Sequence, residues 1–286
     1  MKRTIFVLGA PRSGTTLLIN MLVMNQSKIV GSPEESQFYT TTLHEPYTLD
    51  TFLNAKYFKK LLNEVEVKEI FQRSTNHLDF FRNTIAYCQG REGKSVFAEK
   101  SPMHTLYYKE LLKDFENVEF MLIKRNMCAN VQSIAFTKWI PLTSDVFPGP
   151  IRDSKSVRYF FATLHLYKYW KVTNELEKNP ACKLSIQYED IILENVNMKS
   201  LLQNALGFEM DELYVSRPFS NAVSHFNYGL DKSRVEDYKN VMPKGIQYFI
   251  NSIFNPESVL QNILGKMVIL LFFEPLLLIR KLQGKK

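Results

Sequence analysis

Cysteine is scarce in this chain: three in 286 residues, at positions 88, 128 and 182. An odd, widely spaced set without a CxxC pair excludes a disulfide framework and a zinc-ligand pattern, leaving buried thiols in a reducing compartment as the expectation. No segment supplies the roughly 20 consecutive apolar residues that a membrane-spanning helix requires. Lys2 and Arg3 precede only a short apolar stretch that runs into glycine, which reads as a strand and not as a signal peptide. Zinc-finger spacing, an RNA-binding signature and a long basic arm are all lacking, so the formal charge of +7 does not point to nucleic acid. It favours instead a multiply phosphorylated nucleotide, an acidic acceptor or a membrane surface. Neither internal repeats nor low-complexity segments occur, and 45% hydrophobic residues suffice for a full core. The expectation is a cytoplasmic α/β protein, with a peripheral position at the inner membrane face as the membrane-linked alternative.

What is present begins at residues 4–16, TIFVLGAPRSGTT. Residues 4–8 are β-branched or apolar and read as a short buried strand, Gly9 ends it, and helical spacing starts at Thr15. Strand, tight loop and helix together aim backbone N–H groups at one point, where a phosphate fits. The spacing from Gly9 to Gly14 nearly matches GxxxxGK[ST], but Thr15 stands where a nucleoside triphosphatase has the lysine that reaches the β- and γ-phosphates. That argues against ATP or GTP as the substrate, while Arg12 places a cation earlier in the loop.

Further along, residues 29–38 break periodicity and set Glu34 beside Glu35. Residues 56–63 and 67–89 read as helices, the second capped by Gly90 and burying Phe71, Leu78, Phe81, Ile85 and Cys88. A strand over 95–98 ends at Glu99-Lys100-Ser101-Pro102, where proline starts a helix through Leu112. Functional groups collect at the carboxyl ends of strands in parallel sheets, which makes Lys100 a candidate and His104 a weaker one. Residues 118–123 give a third strand, ending at Arg125 and followed by a helix over 127–139 that carries Ser133. A loop over 140–153 borders an acceptor site in this reading. The aromatic helix over 154–179 is assigned to core packing, 183–187 to a fourth strand ending at Tyr188, and 198–207 to a helix closed by Gly207. The polar stretch 217–244, with Ser224, His225, Lys232 and Arg234, reads as a loop over a site. The tail, residues 263–286, is apolar and interrupted by Glu274-Pro275. It is compatible with a packed or homodimer-forming helix and with a monotopic anchor flanked by Lys266, Arg280, Lys281, Lys285 and Lys286.

GAPRSGTTLL resembles the 5′-phosphosulfate loop of sulfotransferases that use 3′-phosphoadenosine 5′-phosphosulfate (PAPS), and IKRNMCANVQS resembles their 3′-phosphate motif. PEES and EKSP resemble the tyrosylprotein-sulfotransferase-like and bacterial branch. The resemblance runs from residue 4 to about 190 and implies a three-layer α/β/α fold with a central parallel sheet, like that of P-loop nucleotide kinases. It also implies the roles. Arg12 contacts the sulfuryl or bridging oxygen; Ser13, Gly14, Thr15 and Thr16 hold the 5′-phosphate; Arg125 and Ser133 hold the 3′-phosphate; Tyr188 lines the adenosine site; and Lys100 neutralises the leaving phosphate. Glu35 is the expected base, with Glu34 as fallback, because proton removal from a hydroxyl acceptor needs a carboxylate in reach. Cationic side chains replace a metal, so no metal is expected. The domain expected is 1–262, with 263–286 as an appended helix. The acceptor implied is a hydroxyl on a carbohydrate, a glycolipid or another amphiphilic or anionic molecule. A P-loop nucleotide or small-molecule kinase and a non-catalytic nucleotide- or membrane-binding protein are the competing readings.

Overall fold

A computed structural model describes residues 2–24, 27–137, 154–211, 232–275 and 278, without the side chains of 233 and 234. The predicted loop over 140–153, Lys138, Trp139, Ser224, His225, the Arg234 side chain and residues 279–286 lie outside the described residues. By contacts the chain divides into two units: residues 1–124 with 172–231, and residues 125–171 with 232–286.

The first unit contains the sheet. Its strands are β1 (Arg3–Leu8), β2 (Ile29–Gly31), β3 (Val96–Lys100), β4 (Val118–Lys124) and β5 (Cys182–Gln187). All pair in parallel, in the order β2-β3-β1-β4-β5. Parallel pairing demands a crossover between consecutive strands, which the intervening helices supply. They are α1 (Thr15–Val23), α2 (Leu49–Asn54), α3 (Lys56–Leu61), α4 (Glu64–Gln72), α5 (His77–Glu92) and α6 (Tyr108–Asp114). Beyond β4 come α7 (Met127–Ala135), α8 (Lys155–Leu176), α9 (Tyr188–Ile192) and α10 (Met198–Leu206).

The two-residue period of the strands divides their side chains between two cores. Phe6, Leu8, Phe97, Phe120 and Leu122 face an aromatic layer with Phe80, Phe81 and Tyr108 from α5 and α6. Ile5, Val7, Ala98, Met121 and Ile123 face Leu18, Ile19, Met198 and Leu202 from α1 and α10. The result is the expected three-layer α/β/α fold around a parallel sheet.

The local differences from the sequence reading have physical causes. Strand β2 adds a fifth strand to the four expected; with three residues it carries too little pattern to register. The single helix expected over 67–89 is two. Asn63 forms a capping box with Glu66 and starts α4 early, while Asn76 accepts from the Asp79 N–H and starts α5 afresh. The cap of α5 is Gly93, at φ 65°, rather than Gly90. Strand β3 extends through Glu99 and Lys100, so those charged residues lie inside the sheet.

The second unit is helical: α7, residues 155–171 of α8, α11 (Asp237–Val241), α12 (Lys244–Phe254) and α13 (Val259–Val268), which continues as one π-helical turn, Ile269–Phe273. Its core is aromatic, as read from the sequence of α8. Phe160 packs on Phe249 and Phe273, and Trp170 on Phe254. Among the described residues no single helix is long and apolar enough to cross a membrane.

Candidate active site

The loop between β1 and α1 is built by close approach. A Cβ on Gly9 would stand 2.4 Å from the Ile123 carbonyl oxygen, so only glycine lets β1 turn beside the end of β4. Gly14, at φ 105°, caps α1, and a Cβ there would meet the Tyr188 ring at 2.5 Å. Tyr188, at the start of α9, therefore packs against the loop. Arg12 is exposed and holds φ at 67°, a left-handed conformation that costs a non-glycine residue energy and clusters at functional sites.

Thr105 fixes the loop from below. Its hydroxyl accepts from the Gly9 N–H at 2.8 Å and donates to the Gly9 carbonyl at 2.9 Å, within the buried interior. Ser13 is fully buried, and its Oγ has no hydrogen-bond partner among the described residues. A buried hydroxyl without a partner is costly. At the mouth of a helix whose first-turn N–H groups lack intrahelical partners, it fits an anion's oxygen. Thr15 is buried and Thr16 half-buried beside it.

Lys100 ends β3 next to this loop, its backbone paired with Val7 of β1. Its ammonium is almost wholly enclosed, with the side chain 4% exposed, and meets the Glu35 carboxylate at 2.9 Å, which is itself 35% exposed. The structure thus brings together two of the predicted site residues from distant parts of the chain. Glu34 instead turns to Lys56 at 3.0 Å.

Beneath the pair sits a polar cluster of which the sequence reading had singled out only His104, as a weaker candidate. Glu99 is fully buried. One of its oxygens accepts from Ser36 Oγ at 2.6 Å, Ser101 Oγ at 2.7 Å and the Ser36 N–H at 3.3 Å. The other lies 3.1 Å from His104 Nδ1, while His104 Nε2 accepts from the Tyr39 N–H at 3.4 Å. Burial would raise the Glu99 carboxyl, but His104 and the serine hydroxyls outweigh it and hold the group below the ordinary carboxylate range. Ser36 follows Glu35, and Ser101 follows Lys100. The cluster therefore anchors both strands of backbone from which the ion pair projects. The signal for Glu99 lay in strand length: pairing β3 along all of β1 requires the sheet to include it.

In the second unit, Arg125 directly follows the last residue of β4, and Ser133 lies on α7, which Asn126 caps by accepting from the Ala129 N–H at 3.2 Å. Asn130 on the same helix is buried, and neither atom of its amide has a hydrogen-bond partner among the described residues. Lys232 is exposed at the start of a short 3-10 turn. Among the described residues no three His, Cys, Asp or Glu side chains group so as to hold a metal ion.

A family profile described as "Sulfotransferase family" matches residues 4–212, most of the chain. The chain belongs to the sulfotransferase family. The assignment is to the family as a whole and does not extend to the tyrosylprotein branch. Two solved structures share the fold of this sulfotransferase. One is the sulfotransferase domain from the curacin biosynthetic pathway, with TM-score 0.62 and 13% identity over 94% of this chain and 98% of that one. The other is the sulfotransferase domain from the Synechococcus PCC 7002 olefin synthase, with TM-score 0.60 and 15% identity over 93% and 95%. No curated protein matches the sequence.

Proposed function

We propose that this sulfotransferase moves the sulfuryl group of PAPS to a hydroxyl acceptor, with Glu35 as the base. The observation that carries the reading is the Glu35–Lys100 ion pair beside the phosphate-binding loop. A carboxylate and an ammonium at the carboxyl ends of neighbouring elements are the two charges that in-line transfer needs.

The PAPS donor is supported by the family match and by the loop's chemistry. Ser13 Oγ, the first-turn N–H groups at Thr15 and Thr16, and Gly14 suit the 5′-phosphate. Tyr188, packed on Gly14, suits the adenosine side, and Arg125 with Ser133 is assigned to the 3′-phosphate on the motif resemblance. In the reaction the acceptor oxygen forms a bond to sulfur as the sulfur–oxygen bond to the phosphate breaks. The acceptor proton passes to the Glu35 carboxylate, and Lys100 and Arg12 neutralise the charge that accumulates on the departing phosphate oxygen. Sulfuryl transfer resembles phosphoryl transfer in its loose transition state, so positioning and charge stabilisation supply most of the acceleration. The transferred group carries less charge than a terminal phosphoryl group, and side-chain cations serve in place of a metal.

The test is release of 3′-phosphoadenosine 5′-phosphate from PAPS by the purified chain, supplied with carbohydrate, glycolipid and phenolic hydroxyls. Glu35→Gln is expected to lower kcat by roughly 10²–10⁴, the range for general-base loss, while nucleotide affinity is kept or strengthened, because Lys100 loses the carboxylate that competes for it. Normal turnover by this variant would remove Glu35 as the base. Phosphate transfer from Mg-ATP in place of PAPS turnover would replace the donor.

A further inference from the structure

We infer that helix α13 and the π turn that extends it form a docking surface for an anionic bilayer, lying in the plane of the headgroups. The inference stands independently of the reaction assigned above. Val259, Leu260, Ile263, Met267, Leu270 and Leu271 are between 52% and 78% exposed. At 100° per residue the first four fall within an arc of about 100°, the width of an apolar stripe that a surface helix normally turns toward its core. Here the stripe faces outward. The inward side carries Gln261 and Gly265, both buried, and a Cβ on Gly265 would stand 1.8 Å from the Ser252 carbonyl oxygen of α12. That close backbone packing fixes which face of α13 is covered, so the apolar stripe is the face left over. A contiguous apolar surface of this kind marks an interaction site.

Charge and length select the occupant. No acidic residue occurs in 258–273. The basic residues Lys266, Arg280, Lys281, Lys285 and Lys286 accompany one acid, Glu274, whose carboxylate is engaged by Lys171 at 2.7 Å and by the Tyr167 hydroxyl at 3.0 Å. An apolar stripe with Lys266 on the same helix, followed in the sequence by a basic segment, matches anionic headgroups over acyl chains. A second copy placed on the same face by a two-fold axis would bring like charges, Lys266 of each copy, to one interface that holds no acid from 258–273. At ~1.5 Å per residue, 259–273 spans about 22 Å, short of the ~30 Å hydrocarbon core. Helix α12, the other half of the apolar pair, is bent away from it by 83°. The segment suits lying on a membrane rather than crossing it.

Flotation of the full chain with phosphatidylcholine vesicles, with and without phosphatidylglycerol, tests this. Binding is expected only to the anionic vesicles, weakening with salt. It should fall at least about tenfold in Leu260→Asp/Leu271→Asp, which alters only exposed positions, and more modestly in Lys266→Glu. Circular dichroism verifies that the variants fold; should the double variant misfold, Lys266→Glu and the salt dependence of the native chain carry the test. Failure to float, equal binding to neutral vesicles or retention of binding in a folded double variant would overturn the inference. So would a dimer, detected by sedimentation, that the double variant dissolves, since a second copy would then own the face.

Discussion

Glu99 offers the sharpest test of how the site is held. Glu99→Ala removes the acceptor of two serine hydroxyls and one backbone N–H, and strips His104 Nδ1 of its carboxylate neighbour, all without solvent access. Hydrogen bonds to a charged group contribute about 1.5–3 kcal/mol each but are not additive within a network. Breaking a buried charged cluster by removing one partner costs about 3–5 kcal/mol, a large part of a total stability of roughly 5–15 kcal/mol. Urea unfolding is the assay: at m near 2–3 kcal/mol/M the midpoint should fall by roughly 1–2 M. The pH dependence has a definite sign. The folded carboxyl lies below its ordinary value of about 4.3, so its stabilisation is complete above that value and is lost as pH falls through the folded pKa. Against Glu99→Gln, which keeps the shape without the charge, the native protein's advantage should be flat above about pH 5 and shrink below about pH 4. A loss under about 1 kcal/mol in the alanine variant, or an advantage that grows on acidification, would refute the idea that this carboxylate organises the cluster.

Two further substitutions address the loop. Thr105→Val keeps the shape but leaves the Gly9 N–H and carbonyl without their side-chain partner; at roughly 1–3 kcal/mol per orphaned group, both stability and affinity for 3′-phosphoadenosine 5′-phosphate should drop. Unchanged calorimetric binding would mean that the loop holds its shape without Thr105. Gly14→Ala meets a left-handed φ and the Tyr188 ring at once, and should weaken nucleotide binding by at least tenfold, about 1.4 kcal/mol. Affinity equal to that of the native chain would show that the ring gives way freely.

Much of the site was legible because its local signals are strong. Glycines at 9 and 14, the apolar run before them and the helical spacing after them dictate a strand, loop and helix whatever the rest of the chain does. Lys100 could be nominated because proline at 102 locates a strand end. Glu99 and Thr105 were hidden, and His104 was ranked below Lys100, for the opposite reason: their importance comes from partners 63 to 96 residues away, and an acid next to a lysine reads as surface. Strand β2 escaped because three residues at a sheet edge carry no period, and the break between α4 and α5 because asparagine caps outweighed a continuous apolar spacing.

The Glu35–Lys100 contact has a consequence for the order of events. At 2.9 Å each charge satisfies the other, and each must be released before it can serve in the roles proposed above. On the roles proposed above, an anion at the loop would compete for the ammonium and so free the carboxylate for the acceptor. The two substrate sites are then linked by a shared ion pair: occupancy of one strengthens the other by a factor that reciprocity makes the same in both directions. With Glu35 in the role proposed for it, such a site would favour donor before acceptor and would keep its base masked by an internal cation until there is a sulfuryl group to move.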